Sequence, residues 1–272
     1  MRREIYTSLA LCRPLEKNRL DRKETIKGGV VVATQAALKS GFDKWMEGIL
    51  RAPGDPKWDI WDREIRTAVS EFNQHLATTT GYMPLDWRVV KAMVWVESGA
   101  GNPQWLIKPM QIGVVGDAGM DALLSGNEGG DLILPPIWKE RLTVLSVRTV
   151  PSHNIRAGIG YLLMKAAYYE HRSVSPAGSS VFEVTAQPGD SLDKIARANG
   201  STTEIMKRLN PTAGTLRVGQ VLKCQKAVLQ RVIVGWRPMT PALLVGRYNG
   251  GGDATYRTKI NTTLSLVLSG RE

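Results

Sequence analysis

Apolar residues recur every three or four positions in several stretches of the chain, which predicts amphipathic helices. The first long helix should begin at an Asp59 cap and the next at an Asp86 cap, because aspartate side chains accept hydrogen bonds from free amide groups at helix starts. The helix after Asp86 has little polar face and should therefore be buried. Further helical segments are predicted at Gly41–Leu50, Asn154–His171, Pro241–Val245 and Thr255–Val267.

The pattern changes in the second half of the chain. Gly113–Gly130 is rich in glycine and is predicted to be a loop, and Ser173–Ser180 is small and polar, as linkers are. Phe182–Val184 then alternates as a strand does, two short helices follow, and Gln220–Leu222 closes the segment as a second strand. The sequence therefore predicts a compact βααβ unit over residues 181–226.

Composition limits the classes of partner. The chain has 272 residues and a formal net charge of +11, which favours a polyanion such as nucleic acid, an anionic membrane or the acidic bacterial wall. Two distant cysteines, Cys12 and Cys224, exclude a disulfide scaffold, and the histidines show no ligand spacing. We therefore expect no metal and no cofactor. No apolar run reaches the ~18 residues of a transmembrane segment.

The start of the chain loosely resembles a lipoprotein signal, with basic residues, a short apolar stretch and Cys12. However, Tyr6–Leu11 is too short for the apolar region of a signal, and Leu11 stands where a small residue should precede the cysteine. We therefore predict no classical signal peptide, and we assign residues 1–56 to a basic N-terminal segment.

The βααβ unit contains Gly189-Asp190-Ser191-Leu192, Ile195-Ala196, Leu209-Asn210-Pro211 and a final Leu216, Gly219 and Leu222. In this order the unit resembles a LysM module. The resemblance implies binding of N-acetylglucosamine-containing glycans between two loops, which map here onto Gly189, Asp190, Ser191, Leu192, Asn210 and Pro211. From the residues alone, Asp190 can cap a helix and Gly189 permits a tight turn, and both loops could equally be the turns of a small scaffold.

One acidic residue, Glu97, lies where the buried helix opens into Ser98-Gly99. Burial disfavours a carboxylate and raises its pKa, as a general acid requires at neutral pH. A glutamate in such a place can also be a capping or ion-paired residue.

Four motifs surround this glutamate in chain order: VKAMVWVESGAGN, PMQIG, NIRAGIGYL and RYNGGGDATY. The series resembles the soluble lytic transglycosylase and goose-type lysozyme superfamily. The resemblance implies that Glu97 is the acid/base and that Ser98 is its neighbour. It also implies that Met110, Gln111, Tyr248 and Asn249 contact the substrate. Asn154 and Tyr161 are expected mainly to support the fold.

Two departures from the family pattern concern the same region. Lys108-Pro109 replaces the usual Gly-Leu before Met-Gln, which puts the loop geometry in doubt. Arg247 replaces an alanine before Tyr-Asn and would bring a positive charge near the cleft, as suits a substrate that bears carboxylates.

The resemblance leaves two reactions open. A lytic transglycosylase needs one carboxylate, whereas an inverting hydrolase needs a second one that holds water, about 6.5–9.5 Å away. Asp117 and Asp121 lie downstream and could supply it, although capping of the loop is the favoured role for both.

Together these observations predict an α+β fold, mainly α, in which a lysozyme-like catalytic domain (residues 57–180 and 227–272) is interrupted by a LysM module (181–226). The expected activity is cleavage of the β-1,4 MurNAc–GlcNAc bond of peptidoglycan. A lytic transglycosylase is favoured over a muramidase. A third hypothesis is a non-catalytic peptidoglycan adaptor. Nucleic-acid binding rests on charge alone and is not expected.

Peptidoglycan lies outside the cytoplasm, whereas no export signal is predicted. Delivery by a secretion apparatus as an antibacterial effector, or release as a phage enzyme is released, would reconcile the two. The first route would add an apparatus component or an immunity protein to the expected partners.

Overall fold

The computed structural model describes residues 39–270, which form a mixed α/β structure that is about half helical. The predictions for Tyr6–Leu11 and Cys12, and most of the basic segment 1–56, lie outside these residues. None of the helices between residues 39 and 270 combines the length and apolar character needed to cross a membrane.

The helices and strands follow one another in a simple order. Within the described residues, eight α-helices come first, at Gly41–Leu50 (α1), Asp62–Leu76 (α2), Trp87–Glu97 (α3), Ala118–Ser125 (α4), Gly130–Ile133 (α5), Pro136–Arg141 (α6), Val144–Thr149 (α7) and Pro151–Ala166 (α8). The rest of the described chain contains β1 (Ala167–Val174), β2 (Val181–Thr185), α9 (Leu192–Ala198), α10 (Thr203–Leu209), β3 (Val221–Gln225), β4 (Val228–Trp236), α11 (Pro241–Leu243), a π-helical turn (Leu244–Tyr248) and α12 (Tyr256–Ser269).

Helix α3 is central to the main core, as its sequence predicts. The Asp86 side chain caps it by accepting a hydrogen bond from the Arg88 amide at 2.9 Å. Its residues from Val90 to Trp95 are all buried, and the helix packs against α2 and α12. Glu97 is thus the last residue of a buried helix.

The predicted Asp59 cap is wrong. Helix α2 begins at Asp62, after a Trp61 that makes no capping side-chain bond. Asp59 instead accepts a hydrogen bond from the buried Lys91 ammonium at 2.7 Å, and Asp62 does the same at 2.7 Å. A buried ammonium needs such partners, and this requirement outweighs local capping.

The prediction of a loop over Gly113–Gly130 is also wrong, because this segment contains α4 and the first residue of α5. Two of its glycines serve close packing rather than flexibility. A Cβ at Gly130 would lie 2.0 Å from the Leu123 carbonyl oxygen, and one at Gly119 would lie 2.8 Å from the Tyr161 ring. Composition alone did not distinguish these two uses of glycine.

The helix predicted over Asn154–His171 starts at Pro151 and ends at Ala166. The residues after it form β1, which pairs antiparallel with β4 in a two-stranded ribbon. Arg237 secures the junction, since its guanidinium donates to the carbonyl of Ala167 at 2.8 Å and to that of Lys165 at 3.2 Å. This ribbon, absent from the sequence-based prediction, leads into and out of the βααβ unit.

The βααβ unit has its own small core. Strands β2 and β3 pair antiparallel, with α9 and α10 between them in sequence. Ser191, rather than Asp190, caps α9, and Asp190 closes the preceding turn by accepting from the Gln187 amide at 2.7 Å. The buried residues of this core are Ala186, Ile195, Ala196, Met206, Leu222 and Cys224.

Candidate functional site

A pocket of about 210 Å³ lies beside the end of α3. Its walls come from distant parts of the sequence: α3, the segment before α4, α8 and the π-helical turn with the residue after it. The lining residues are Glu97, Met110, Gln111, Ile112, Asp117, Tyr161, Tyr248 and Asn249. Five of the six residues proposed from the superfamily resemblance for catalysis or substrate contact therefore meet in one pocket, and Ser98 is the exception.

The Glu97 carboxylate accepts a hydrogen bond from the Tyr256 hydroxyl, with 2.6 Å between the phenolic oxygen and Oε1. Tyr256 is the first residue of α12 and is 3% exposed. One helical turn further on, the Lys259 ammonium is held by Asp253 at 2.8 Å. On the α12 side, the end of α3 thus faces the Tyr256 hydroxyl and the Lys259–Asp253 ion pair.

Burial raises the pKa of Glu97 to about 7. The hydrogen bond from Tyr256 and the positive charge of Lys259 act in the opposite direction, and Asp253 adds a smaller upward contribution. A carboxyl group with this pKa is protonated in part of the population at neutral pH and can both give and take a proton there.

The Met110–Gln111 wall is fixed by a buried asparagine. Asn154, which is fully buried, accepts from the Met110 amide at 2.8 Å and donates to the Ile112 carbonyl at 2.8 Å and to the Val147 carbonyl at 3.0 Å. The resemblance implied a mainly structural role for Asn154, and this geometry agrees with one.

Gln111 has a strained backbone. Its φ is 51°, a left-handed conformation that residues other than glycine rarely adopt. Its side-chain amide donates to the Lys108 carbonyl at 2.7 Å, and Ser98 donates through its hydroxyl to the Pro109 carbonyl at 2.9 Å. The unusual Lys108-Pro109 pair therefore anchors the wall through its carbonyl groups, and Ser98 acts on this wall without lining the pocket.

Tyr248 closes the opposite side. Its hydroxyl donates to the Met110 carbonyl at 3.2 Å, and its ring lies 5.5 Å from that of Tyr161. Asn249 follows the π-helical turn, a distortion often found at functional sites, and its side-chain oxygen is buried without a hydrogen-bond partner among residues 39–270. Arg247 is exposed.

The two candidate second carboxylates differ in position. Asp117 lines the pocket, but it caps α4 and accepts hydrogen bonds from the amides of Gly113, Gly119 and Met120. Asp121 is exposed on α4 and lies outside the lining of the pocket. Glu97 is therefore the lining carboxylate whose side chain is not engaged in capping a helix.

Sequence reasoning missed Tyr256. The residue lies within the RYNGGGDATY motif, yet nothing local marks it as a partner of a glutamate 159 positions earlier. The available signal was its place at the end of the motif, near the start of the helix predicted over Thr255–Val267. Within the described part of the chain, no group of three or more histidine, cysteine or acidic side chains could hold a metal ion.

In the βααβ unit, the first expected glycan loop contains Gly189, with a φ of 81° and open space where a Cβ would be. Its carbonyl accepts from Lys194 at 2.8 Å. In the second loop, the Asn210 side chain donates to the carbonyls of Met206 and Lys223 and accepts from the Lys223 amide. Asn210 therefore joins α10 to β3, whereas Pro211 is exposed beside it.

Comparison with protein families gives one match, to the LysM domain, at residues 184–224. Residues 184–224 are a LysM domain. This confirms the resemblance seen in the sequence and assigns peptidoglycan binding to the unit. Comparisons with curated proteins and with solved structures find no match. The lysozyme-like character of the residues around the LysM domain thus stays a prediction.

Proposed function

We propose that the chain is a peptidoglycan-cleaving glycosidase that holds its substrate through the LysM domain and cleaves the β-1,4 MurNAc–GlcNAc bond at the pocket, with Glu97 as the acid/base. The observation that carries this proposal is the Glu97 carboxyl group, which lines the pocket with a pKa raised to about 7. A general acid is most useful when its pKa lies near the working pH.

The proposed reaction needs one carboxyl group. Protonated Glu97 gives its proton to the glycosidic oxygen as the bond from C1 of MurNAc to that oxygen breaks, and the N-acetyl oxygen of the same sugar attacks C1. Glu97, now a carboxylate, accepts the proton of the MurNAc 6-hydroxyl as that oxygen displaces the N-acetyl group. The products are a free GlcNAc 4-hydroxyl and a 1,6-anhydro ring, and the acid is restored.

The capping role of Asp117 supports the transglycosylase over the muramidase. Its carboxylate already accepts three backbone hydrogen bonds, and their loss would cost the start of α4. The net charge of +11 supports recruitment to an anionic wall polymer whose stem peptides bear carboxylates.

Mass spectrometry of purified sacculi digested with the unmodified protein tests the proposal. The expected products end in anhydro-MurNAc and are one water lighter than the corresponding reducing ends. Reducing ends would identify a muramidase instead. Glu97→Gln should release nothing while still cosedimenting with sacculi, and Glu140→Gln, an exposed residue on α6, should behave as the unmodified protein does. If the unmodified protein binds sacculi but releases no glycan fragments, the non-catalytic adaptor is the remaining hypothesis.

We further propose that the protein acts in the periplasm or on the wall and reaches it by a route other than a classical signal peptide, as a secreted antibacterial effector or by phage-like release. An effector would have an immunity protein in the producing cell. Expression in a bacterial host tests this: a version directed to the periplasm should lyse the cells, whereas a cytoplasmic version should not. Equal tolerance of both would contradict it.

A further inference from the structure

We propose that a groove beside the β1–β4 ribbon binds an N-acetylglucosamine unit of the glycan, in addition to the LysM domain and the pocket at Glu97. The groove has a volume of about 440 Å³ and is lined by residues 78–80 after α2, by Asp131 and Leu132 of α5, and by residues 230–233 of β4. Its volume is typical of small-ligand pockets, which measure ~300–1,000 Å³. This inference rests on the proposed peptidoglycan substrate but requires no cleavage.

The groove lies along the open edge of β4. Side chains alternate between the two faces of a strand, so a groove that touches the four consecutive residues 230–233 follows an edge rather than one face. One edge of β4 is paired with β1, and no residue of β1 lines the groove. The other edge, whose backbone groups pair with no strand in the described part of the chain, therefore faces the groove. An acetamido group has one N–H and one C=O and can hydrogen-bond to such an edge.

Four exposed polar side chains of the groove have no partner elsewhere. Those of Thr78, Thr80, Asp131 and Gln230 make no hydrogen bond or ion pair within residues 39–270. Together they offer two hydroxyl groups, a carboxylate and an amide, which can donate to and accept from the hydroxyl groups of a sugar. The apolar residues of the same groove can pack against the C–H groups of the sugar ring.

The charge of the groove favours an uncharged ligand. Asp131 and Arg231 are its two charged lining residues, and their charges are opposite. An acidic stem peptide would be attracted by Arg231 but repelled by Asp131. N-acetylglucosamine carries no charge and avoids that repulsion, so we assign the groove to the sugar rather than to the peptide.

The walls of the groove are held together by contacts within the protein. The Arg231 guanidinium donates to the carbonyl of Gly126, which caps the end of α4, at 3.1 Å. At the end of β4, the Trp236 ring packs edge-on against Tyr82, with 4.8 Å between the ring centroids. A groove that is already formed does not lose binding free energy to the ordering of its walls.

The groove is also close to the LysM domain in the chain. The LysM domain ends at residue 224 and β4 begins at Val228, so Gln230 lies only about 7 Å further along the strand. Two linked sites hold one polymer more tightly than either site alone. We therefore expect the groove to add to the retention of sacculi by the LysM domain.

The test follows the side-chain amide of Gln230 by ¹⁵N NMR in the full chain carrying Glu97→Gln. The signals are assigned by their absence when Gln230→Ala is added. Triacetylchitotriose should shift them, whereas cellotriose, which has no acetamido groups, should not. Asp131→Asn should raise the chitotriose concentration needed for half of the shift about fivefold, because a hydrogen bond to a charged acceptor is weakened.

Three results would overturn the inference. The first is a Gln230 signal that chitotriose does not move, and the second is an equal shift with cellotriose. The third is a shift with the acidic stem peptide alanyl-γ-glutamyl-lysine but not with chitotriose, since the groove would then bind the peptide.

Cosedimentation with sacculi gives a second readout in the same Glu97→Gln background. Asp131→Asn combined with Gln230→Ala should weaken binding about tenfold. Glu140→Gln combined with Gln74→Ala removes the same kinds of group from exposed positions on α6 and α2 and should leave binding unchanged. Equal binding by the two double variants would contradict the site. The proposed function fails separately, if the unmodified protein releases no glycan fragments.

Discussion

The side chain of Asn154 on α8 accepts a hydrogen bond from the backbone amide of Met110, with 2.8 Å between Oδ1 and the amide nitrogen. The same side chain donates to two further carbonyls, those of Ile112 and Val147. One buried residue thus fixes the segment from Met110 to Ile112, which lines the pocket with Glu97. It does so through hydrogen bonds to the backbone of that segment.

Asn154→Ala should lower the free energy of unfolding by about 3 kcal/mol, because three buried backbone groups lose their partner. Urea denaturation measures this loss. Asn261→Ala, at an exposed position on α12, serves as the control and should change stability by less than about 0.5 kcal/mol. Equal effects of the two changes would show that the Met110 wall does not depend on Asn154.

Glu97→Gln should stabilise the fold increasingly as the pH rises from about 4.5 to 7 and should leave it unchanged at lower pH. Because burial raises the pKa of Glu97 to about 7, the folded state binds more protons than the unfolded state between about pH 4.5 and 7. Stability from this group is complete below that window and declines as the pH rises through it. Glutamine has no charge to bury, so the variant should exceed the unmodified protein by about 3 kcal/mol at pH 8 and nearly match it at pH 4.5.

Urea denaturation at the two pH values measures this difference. Glu140→Gln, an exposed replacement of the same kind, should follow the unmodified protein at both. A constant offset of Glu97→Gln across the pH range would contradict a buried carboxyl group that titrates near neutrality.

Gly158→Ala should disturb the pocket from behind. The added Cβ would lie 2.7 Å from the Cβ of Met110, so either the Met110 wall or helix α8 must shift. We expect a loss of about 1–3 kcal/mol in the free energy of unfolding, with reduced wall cleavage. Gly48→Ala on α1 meets no atom within 4 Å and should instead stabilise the protein by about 0.5–1 kcal/mol through helix propensity.

Asn210→Ala should weaken the binding of the LysM domain to sacculi. The change removes three hydrogen bonds that hold the end of α10 to β3, beside one of the expected glycan loops. We expect about tenfold weaker cosedimentation in a Glu97→Gln background, in which the sacculi stay intact. Asn199→Ala removes one side-chain bond, to the Ile195 carbonyl at the end of α9, and should have a smaller effect. Unchanged binding by Asn210→Ala would place the glycan surface elsewhere.

Features that depend on nearby residues were predicted well from the sequence. Helix α3 and its Asp86 cap follow from a few adjacent positions, and so does the LysM domain, whose motif lies within a short stretch. Each of these needs only local periodicity or turn chemistry to be specified.

Features that depend on residues distant in the sequence were not predicted from it. Helix α8 stops at Ala166 because β4, which begins 62 residues later at Val228, pairs with the residues that follow. Asp59 accepts a hydrogen bond from Lys91 instead of capping a helix. Tyr256 donates a hydrogen bond to Glu97, which lies 159 positions earlier in the sequence. Such choices are decided by tertiary partners, which a local pattern does not contain.

The pocket walls come from both sides of the LysM domain, which has a consequence for synthesis. Glu97 and Met110 emerge from the ribosome well before Tyr248 and Tyr256, and the LysM domain, with its separate core, is translated between them. A nascent chain that has not passed Pro241 can thus fold its wall-binding module while its pocket still lacks one side. In a cell that makes this protein, the growing chain would therefore be able to bind peptidoglycan before its pocket is complete.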